Sequence, residues 1–241
     1  DFTIRTFSGT IGGFPTDAIG TDNLSLGDTG NDNLNSLKEE NVLTSYLGRV
    51  NYNLMDRYLF TATIRADGSS RFGENNKFGY FPSAAFGWKL SNENFVPDFF
   101  QELKLRASWG ETGNQEIGNY SSLLTFNSGA NAFFNNQPVT TTRPSRIANP
   151  DLKWEDTTTT NIGLEASFFS NKLSFTADYF EKTSEDILAD LPINPTSGTN
   201  QAVPFNSATV ENNGLEFSLG YRNSTEDFNY AITGNFSTLN N

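Results

Sequence analysis

The chain has 241 residues, 28 acidic against 16 basic side chains for a formal charge of −12, and neither Cys nor His. That leaves no disulfide, thiolate, zinc-finger, Ser-His-Asp or Cys-His chemistry, and so acidic a chain would repel a phosphate backbone, which argues against nucleic acid. Only 36% of the residues are apolar and no apolar run exceeds three, as at Tyr58-Leu59-Phe60 and Ala84-Ala85-Phe86, so no transmembrane helix is encoded.

The 22 Phe and 8 Tyr, set among many Asn, Thr, Ser and Gly, point to strands and turns rather than disorder. At the start, Asp1-Phe2-Thr3-Ile4 has neither a basic nor an apolar signal-peptide region, so a processed chain or a piece is expected. A weak strand is expected near Phe2 to Phe7, then a polar loop over roughly residues 11 to 42. That loop holds Asp17, Asp22, Asp28-Thr29-Gly30-Asn31-Asp32-Asn33, Glu39 and Glu40. Its oxygens could meet Ca²⁺, but the spacing and closing Glu of an EF-hand are missing, so a solvated loop is favoured and no metal ligand is assigned.

Period-2 alternation then recurs through the chain. Its apolar register runs through Tyr46, Gly48, Val50 and Tyr52; Tyr58, Phe60, Ala62 and Ile64; Tyr80 to Leu90 with Ala84, Phe86 and Trp88; and Leu103, Leu105, Ala107 and Trp109. It resumes at Ile162, Leu164, Ala166 and Phe168; Leu173, Phe175, Ala177 and Tyr179; Leu215, Phe217, Leu219 and Tyr221; and Tyr230, Ile232, Gly234 and Phe236. The opposite register is polar and carries Arg49, Arg65, Lys89, Lys104, Arg106, Glu165, Asp178 and Glu216. An all-β antiparallel meander of about nine strands follows, with almost no helix.

Short joins fall at Asn53 to Asp56, Ser91 to Glu102, Phe169 to Asn171 and Arg222 to Asp227, while long polar loops cover about 11 to 42, 67 to 77, 111 to 157 and 183 to 209. All short joins lie on one side of the meander and all long ones on the other, the parity of a transmembrane barrel with short periplasmic turns and long extracellular loops. Aromatics gather near both strand ends, as two interfacial girdles would. Tyr52, Tyr58, Phe60, Phe86, Trp88, Trp109, Phe175 and Tyr221 would then face lipid, and the eight charged residues above would face the lumen. There they either shape a polar path or pair with one another across strands, the second being favoured. Alternation alone fits a soluble, carbohydrate-binding β-sandwich equally well; loop parity and girdles favour the barrel.

Several stretches carry a resemblance: Ser45-Tyr46-Leu47-Gly48-Arg49-Val50-Asn51-Tyr52, Asp56-Arg57-Tyr58-Leu59-Phe60-Thr61-Ala62-Thr63-Ile64-Arg65-Ala66-Asp67-Gly68-Ser69-Ser70-Arg71-Phe72, and Gly79-Tyr80-Phe81-Pro82-Ser83-Ala84-Ala85-Phe86-Gly87-Trp88. Leu103-Lys104-Leu105-Arg106-Ala107-Ser108-Trp109-Gly110-Glu111-Thr112-Gly113-Asn114-Gln115 and Asn149-Pro150-Asp151-Leu152-Lys153-Trp154-Glu155 continue it. In that order they resemble the SusC/RagA-like, TonB-dependent outer-membrane transporters of Bacteroidota, over about residues 42 to 221. The resemblance implies a barrel of about 22 strands, plugged by a separate domain, that imports oligosaccharides or peptides under a SusD-like surface lipoprotein with energy from the TonB complex. It implies no cofactor and no catalysis. Residues 1–241 would be part of one barrel domain in the bacterial outer membrane, with the plug and signal peptide outside them, because open strand edges are not tolerated in lipid.

For contact with substrate the loop candidates are Phe133, Phe134, Asn135 and Asn136, with Arg71 and Asn114 at loop starts. Phe126 and Trp154 are further loop aromatics, either exposed or forming a small core of the loops. The Gly-rich and Asn-rich stretches equally satisfy tight turns. Nothing marks a carboxylate pair for glycoside hydrolysis, so no catalytic residue is assigned.

Overall fold

The computed structural model describes residues 2–12, 28–197, 199, 201–224 and 228–241, and divides the chain into two compact units, Asp1–Leu43 and Thr44–Asn241. The first unit is a hairpin of β1 (Phe2–Gly12) and β2 (Asp28–Asn41), paired antiparallel with Phe2 opposite Asn41 and Phe7 opposite Ser36. β2 corrects the expectation of a loop through residue 41. Its sequence is too polar to announce a strand, and the ladder with β1 supplies the order that its own propensity does not. The acidic run Asp28 to Asn33 lies within this extended strand, not in a curled loop; Asp17 and Asp22 lie outside the described residues.

In the second unit, β3 (Leu43–Leu54), β4 (Tyr58–Ser69), β5 (Phe78–Lys89), β6 (Phe100–Asn114), β9 (Glu155–Phe168), β10 (Leu173–Leu191), β11 (Val203–Ser224) and β12 (Asn229–Asn240) form one eight-stranded sheet in the order β12-β11-β10-β9-β6-β5-β4-β3. Between β6 and β9 the chain leaves the sheet to make a separate hairpin, β7 (Thr125–Phe134) and β8 (Gln137–Arg146). Sequence reading places only loop at 111 to 157, so this hairpin is a correction. The eight strands read from alternation are present, and the neighbouring pairs of the sheet from β4 to β12 are antiparallel.

Register converts the alternation into two faces. One row runs Tyr58, Trp88, Leu105, Leu164, Ala177, Phe217 and Phe236, each directly opposite the next across the sheet. A second row runs Arg106, Gly163, Asp178 and Glu216. Because side chains alternate strictly along a strand, a slip of one residue would exchange these faces everywhere. The apolar face is not covered within this unit: Val50, Tyr52, Phe60, Ile64, Leu219 and Ile232 are all exposed. A β-sandwich would bury this face against a second sheet, so that alternative does not describe the unit.

The buried core lies instead among the long loops. Phe72, Phe81, Leu152 and Trp154 form it, with Trp154 4.8 Å from Phe72 and 5.5 Å from Phe81 between ring centroids. Phe81 stands opposite Arg65, on the polar face, and the core therefore roots the loops on that side of the sheet. Gly113 makes room, since a Cβ there would lie 2.0 Å from the Phe81 ring. Backbone bonds tie the loops together, from Gly73 N to Leu152 O (3.0 Å) and Asn149 N to Ser122 O (3.0 Å), and the Trp154 indole donates to Lys77 O (3.1 Å).

At the opposite ends the turns are tight. Met55 and Asp56, at φ 54° and 53°, make a two-residue turn with Arg57 N bonded to Leu54 O (3.0 Å), the primed type that matches strand twist. Asp56 takes Lys89 Nζ at 2.8 Å. Glu93 receives the Trp88 indole N–H (3.1 Å), the Tyr58 hydroxyl (3.0 Å) and Arg57 Nη1 (3.1 Å). The Trp88 bond, with help from Tyr58 and Arg57 and against some burial, holds the Glu93 carboxyl below its ordinary range. Asp56 is lowered in the same sense by its bonds from Lys89 and Asn53.

The loop core and the turn contacts can each be tested. Trp154→Ala should cost the loop layer about 3–5 kcal/mol and make residues 69–77 and 147–154 protease-sensitive while the sheet stays intact; unchanged cleavage would show that the core does not hold the loops. For the turns, both carboxyls are depressed in the folded state, so their contribution is complete above the unfolded value of about pH 4 and fades only as pH falls through the lower folded values. Amide protection at Arg57 and Lys89 should thus hold down to about pH 4 and drop below it, as hydrogen exchange would record.

Candidate functional site

On the polar face, Arg106 reaches from β6 over β9 to β10. Its Nη2 lies 2.7 Å from both carboxylate oxygens of Asp178, and the residue directly between them, on β9, is Gly163. A Cβ at Gly163 would sit 2.3 Å from Asp178 Oδ1 and 2.8 Å from Arg106 Nε. Glycine is therefore the window through which the bridge passes. Glu165 joins from β9, 3.0 Å from Arg106 Nε and 3.4 Å from Lys104 Nζ. Lys104, Arg106, Glu165 and Asp178 thus form one cluster of two cations and two anions, partly in solvent, where each pair adds little stability but together they fix side-chain positions.

The other charges of this face are separate. Arg65 Nε holds Asp67 Oδ2 at 2.5 Å, and its Nη2 reaches Ser45 Oγ at 3.4 Å. Asp67 is buried and its Oδ1 has no protein partner among the described residues. Arg49 Nε donates to Thr63 Oγ1 (3.1 Å), beside the Thr61 to Asn51 bond of 2.9 Å. Lys89 stands directly opposite Lys104, and the two like charges part, one to Asp56 and the other to Glu165. Glu216 is opposite Asp178 and lies outside the Arg106 bridge.

The apolar face gathers the predicted aromatics. Tyr58 stacks with Trp88 at 6.0 Å and Phe60 packs on Phe86 at 5.0 Å. Trp109 is opposite Ala84, Phe175 opposite Ala166 and Leu219, and Tyr221 lies 5.9 Å from Tyr230. Tyr52, Trp109 and Tyr221 are exposed. Glu93 escapes sequence reading, for nothing in a lone carboxylate foretells that two aromatics of the apolar face will converge on it.

Among the loop candidates, Phe133 and Phe134 are exposed at the end of β7. Asn135 and Asn136, at φ 52° and 62°, make the turn of that hairpin. Arg71 is held by Asn119 Oδ1 and Gln115 O, both at 3.1 Å, so oxygens of an amide and a backbone carbonyl fix its guanidinium. Asn114 accepts the Glu116 amide at 2.9 Å and serves the local turn. Phe126 is exposed, whereas Trp154 is buried in the loop core. The structure therefore splits these residues between a solvent-exposed hairpin tip and a tied loop layer. Sequence reading places Phe81 only within a strand, and its position in the otherwise polar register, between Tyr80 and Pro82, is the signal that could have marked it.

Comparison with known proteins agrees with this geometry. The family model described as "TonB dependent receptor-like, beta-barrel" matches residues 2–241. The chain is 41% identical over 211 residues to TonB-dependent receptor SusC of Bacteroides thetaiotaomicron, covering 83% of this chain and 21% of that protein. It is 39% identical over 209 residues to TonB-dependent receptor P3 of Formosa agariphila, covering 86% and 21%. Among solved structures, the RagAB peptide transporter superposes with a TM-score of 0.80 at 29% identity, over 98% of this chain and 26% of that one. The chain thus spans 21% of the length of these curated relatives. It belongs to the TonB-dependent receptor-like β-barrel family of outer-membrane proteins.

Proposed function

We propose that this chain forms barrel wall and extracellular loops of a TonB-dependent importer of oligosaccharides or peptides, working with a SusD-like surface lipoprotein. The observation that carries the reading is the uncovered apolar face: an unbroken row from Tyr58 to Phe236 backed by a charge-paired polar face. A strand with one face apolar and the other ionic is stable where the first meets lipid and the second meets water. SusC, by its name a TonB-dependent receptor, and RagAB, described as a peptide transporter, support the energy source and the class of cargo.

In this role the segment is passive. The apolar face seals the bilayer, with Tyr52, Tyr58, Phe60, Phe86, Trp88, Trp109, Phe175 and Tyr221 toward lipid. Arg49, Arg65, Lys89, Lys104, Arg106, Glu165, Asp178 and Glu216 line the lumen, and the pairing of Lys104 and Arg106 with Glu165 and Asp178 makes that part of the wall hydrophilic without strongly adhesive single charges. Phe133, Phe134, Asn135, Asn136, Arg71 and Asn114 meet cargo or the capping lipoprotein. Residues 1–241 are part of one barrel domain, and the energised step belongs to a plug outside them. Catalysis has no part in it.

Neighbouring residues on opposite faces test the reading. In the full-length receptor, Phe60→Arg should sharply lower the yield of heat-modifiable barrel, because a cation facing lipid near the midplane costs about 2–4 kcal/mol, while Thr61→Arg should leave it near normal. Equal yields would sink the assignment of faces. Replacing Phe133 and Phe134 together by Ser should preserve barrel yield and lower uptake several-fold; full uptake would remove the hairpin tip from cargo or partner contact.

A further inference from the structure

The hairpin between β6 and β9 has two unlike edges. No third strand pairs with β7 or β8 among the described residues, and two strands without a third are marginal in water. The base of the hairpin is fastened: Thr125 Oγ1 meets Ser145 Oγ at 2.7 Å, and the buried Thr199 hydroxyl donates to Ser145 O.

Register shows which backbone groups each edge offers. Asn135 and Asn136 close the hairpin as a two-residue turn between Phe134 and Gln137, so that pair exchanges both ladder bonds. Ala132–Val139 and Ala130–Thr141 repeat it, while the pairs between them, Phe133–Pro138 and Asn131–Thr140, turn their backbone groups outward. Beyond the bulge between Ser128 and Ala130, Phe126–Pro144 is again an outward pair, as a residue without an N–H requires. Both prolines of β8 therefore stand on its outer edge and remove donors that a further strand would need. β7 has no proline, and its outer edge keeps the N–H and C=O of Phe126, Asn131 and Phe133. Because Pro144 and Pro138 share a face of β8, so do Phe126 and Phe133 opposite them, and both Phe side chains are exposed.

We infer that the outer edge of β7 is a peptide-binding edge: an extended peptide cargo adds to it as a third strand, held by main-chain hydrogen bonds, with alternate side chains beside Phe126 and Phe133. This rests on the importer reading above and narrows its cargo to peptides. A polypeptide carries N–H and C=O at the spacing of the edge and answers it at every second residue, which the hydroxyls of a sugar chain do not. Main-chain bonds are indifferent to side chains, so peptides of many sequences fit one edge. The edge is also short. β7 has 10 residues with a bulge inside, which suits a peptide better than the roughly 20–30 residues that a stable protein interface takes from each side.

The test is retention of peptides from a tryptic digest of casein by the purified full-length receptor in detergent, quantified by mass spectrometry. Asn131→Pro and Thr140→Pro block opposite edges of one rung. Thr140→Pro should retain as much peptide as the parent receptor, and Asn131→Pro about tenfold less, the loss of one main-chain bond. The tightest peptide is then resynthesised with N-methyl groups on either set of alternate residues. One set should weaken binding about tenfold and the other leave it unchanged, because only alternate N–H groups face a paired edge. Equal effects of the two methylated sets would overturn the inference, even where a proline variant assembles poorly. So would full retention by Asn131→Pro, or an intact parent barrel that retains no peptide, which returns the cargo to oligosaccharides. If Asn131→Pro frees a copurifying lipoprotein yet keeps its peptide, the edge belongs to that partner and the inference also falls. Uptake in cells that does not depend on TonB would instead sink the importer reading, whatever the digest shows.

Discussion

A sheet with one predominantly apolar face and one ionic face needs two different surroundings, and most of this structure answers that requirement. Inside lipid no water is available to satisfy backbone amides, so strands must give every N–H and C=O to neighbours; the six inner strands of the sheet, between β12 and β3, are laddered on both sides. The same ladders fix which side chains face out. Because the period is two, the tight turn at Met55-Asp56 and the row from Tyr58 to Phe236 constrain each other: one shifted pair would send Arg106 and Asp178 to the side of Trp88 and Phe60. The chain tolerates low overall hydrophobicity for this reason, since only alternate residues of each strand need be apolar.

The polar face solves a second problem, how to place like charges close together without repulsion. Lys89 opposes Lys104, and Asp178 opposes Glu216. Direct opposition of like charges is destabilising in a sheet, and here at least one member of each pair is drawn elsewhere: Lys89 to Asp56, Lys104 to Glu165, Asp178 to Arg106. The last of these spans three strands and depends on the absence of a side chain at Gly163. Charge balance is thus a property of the sheet, set by register and one glycine, and not of any single strand.

The legibility of the sequence follows the same physics. Strands that divide two media show strong alternation, and Tyr58 to Ile64 or Leu173 to Tyr179 can be read directly. Strands without that division have no such contrast: β2 is polar through most of its length, and β7 and β8 are hidden in a loop rich in Asn and Thr, although Asn135-Asn136 is a turn signal between them. The strands also outrun the alternation. β10 has 19 residues and β11 22, about twice what a bilayer requires, because hydrogen bonding continues past the layer that imposes the pattern. Of the site, the charged and aromatic faces are legible as sets. Their pairing is not, since Arg106 meeting Asp178 needs a register that only three assembled strands define.

The two ends of the sheet differ in what holds them. At the short-turn end the ties are ionic and aromatic, around Glu93 and Phe168. At the long-loop end the loops have a core of their own, and Phe81 roots it in β5 on the polar face. Loops anchored by buried aromatic packing keep a fixed shape, unlike loops that only a ligand would order. The exposed tip at Phe133 and Phe134 stands apart from that core, on a hairpin closed by Asn135 and Asn136. The tied layer is thus a preformed surface, whereas the hairpin tip presents exposed apolar side chains outside the packing that holds that layer.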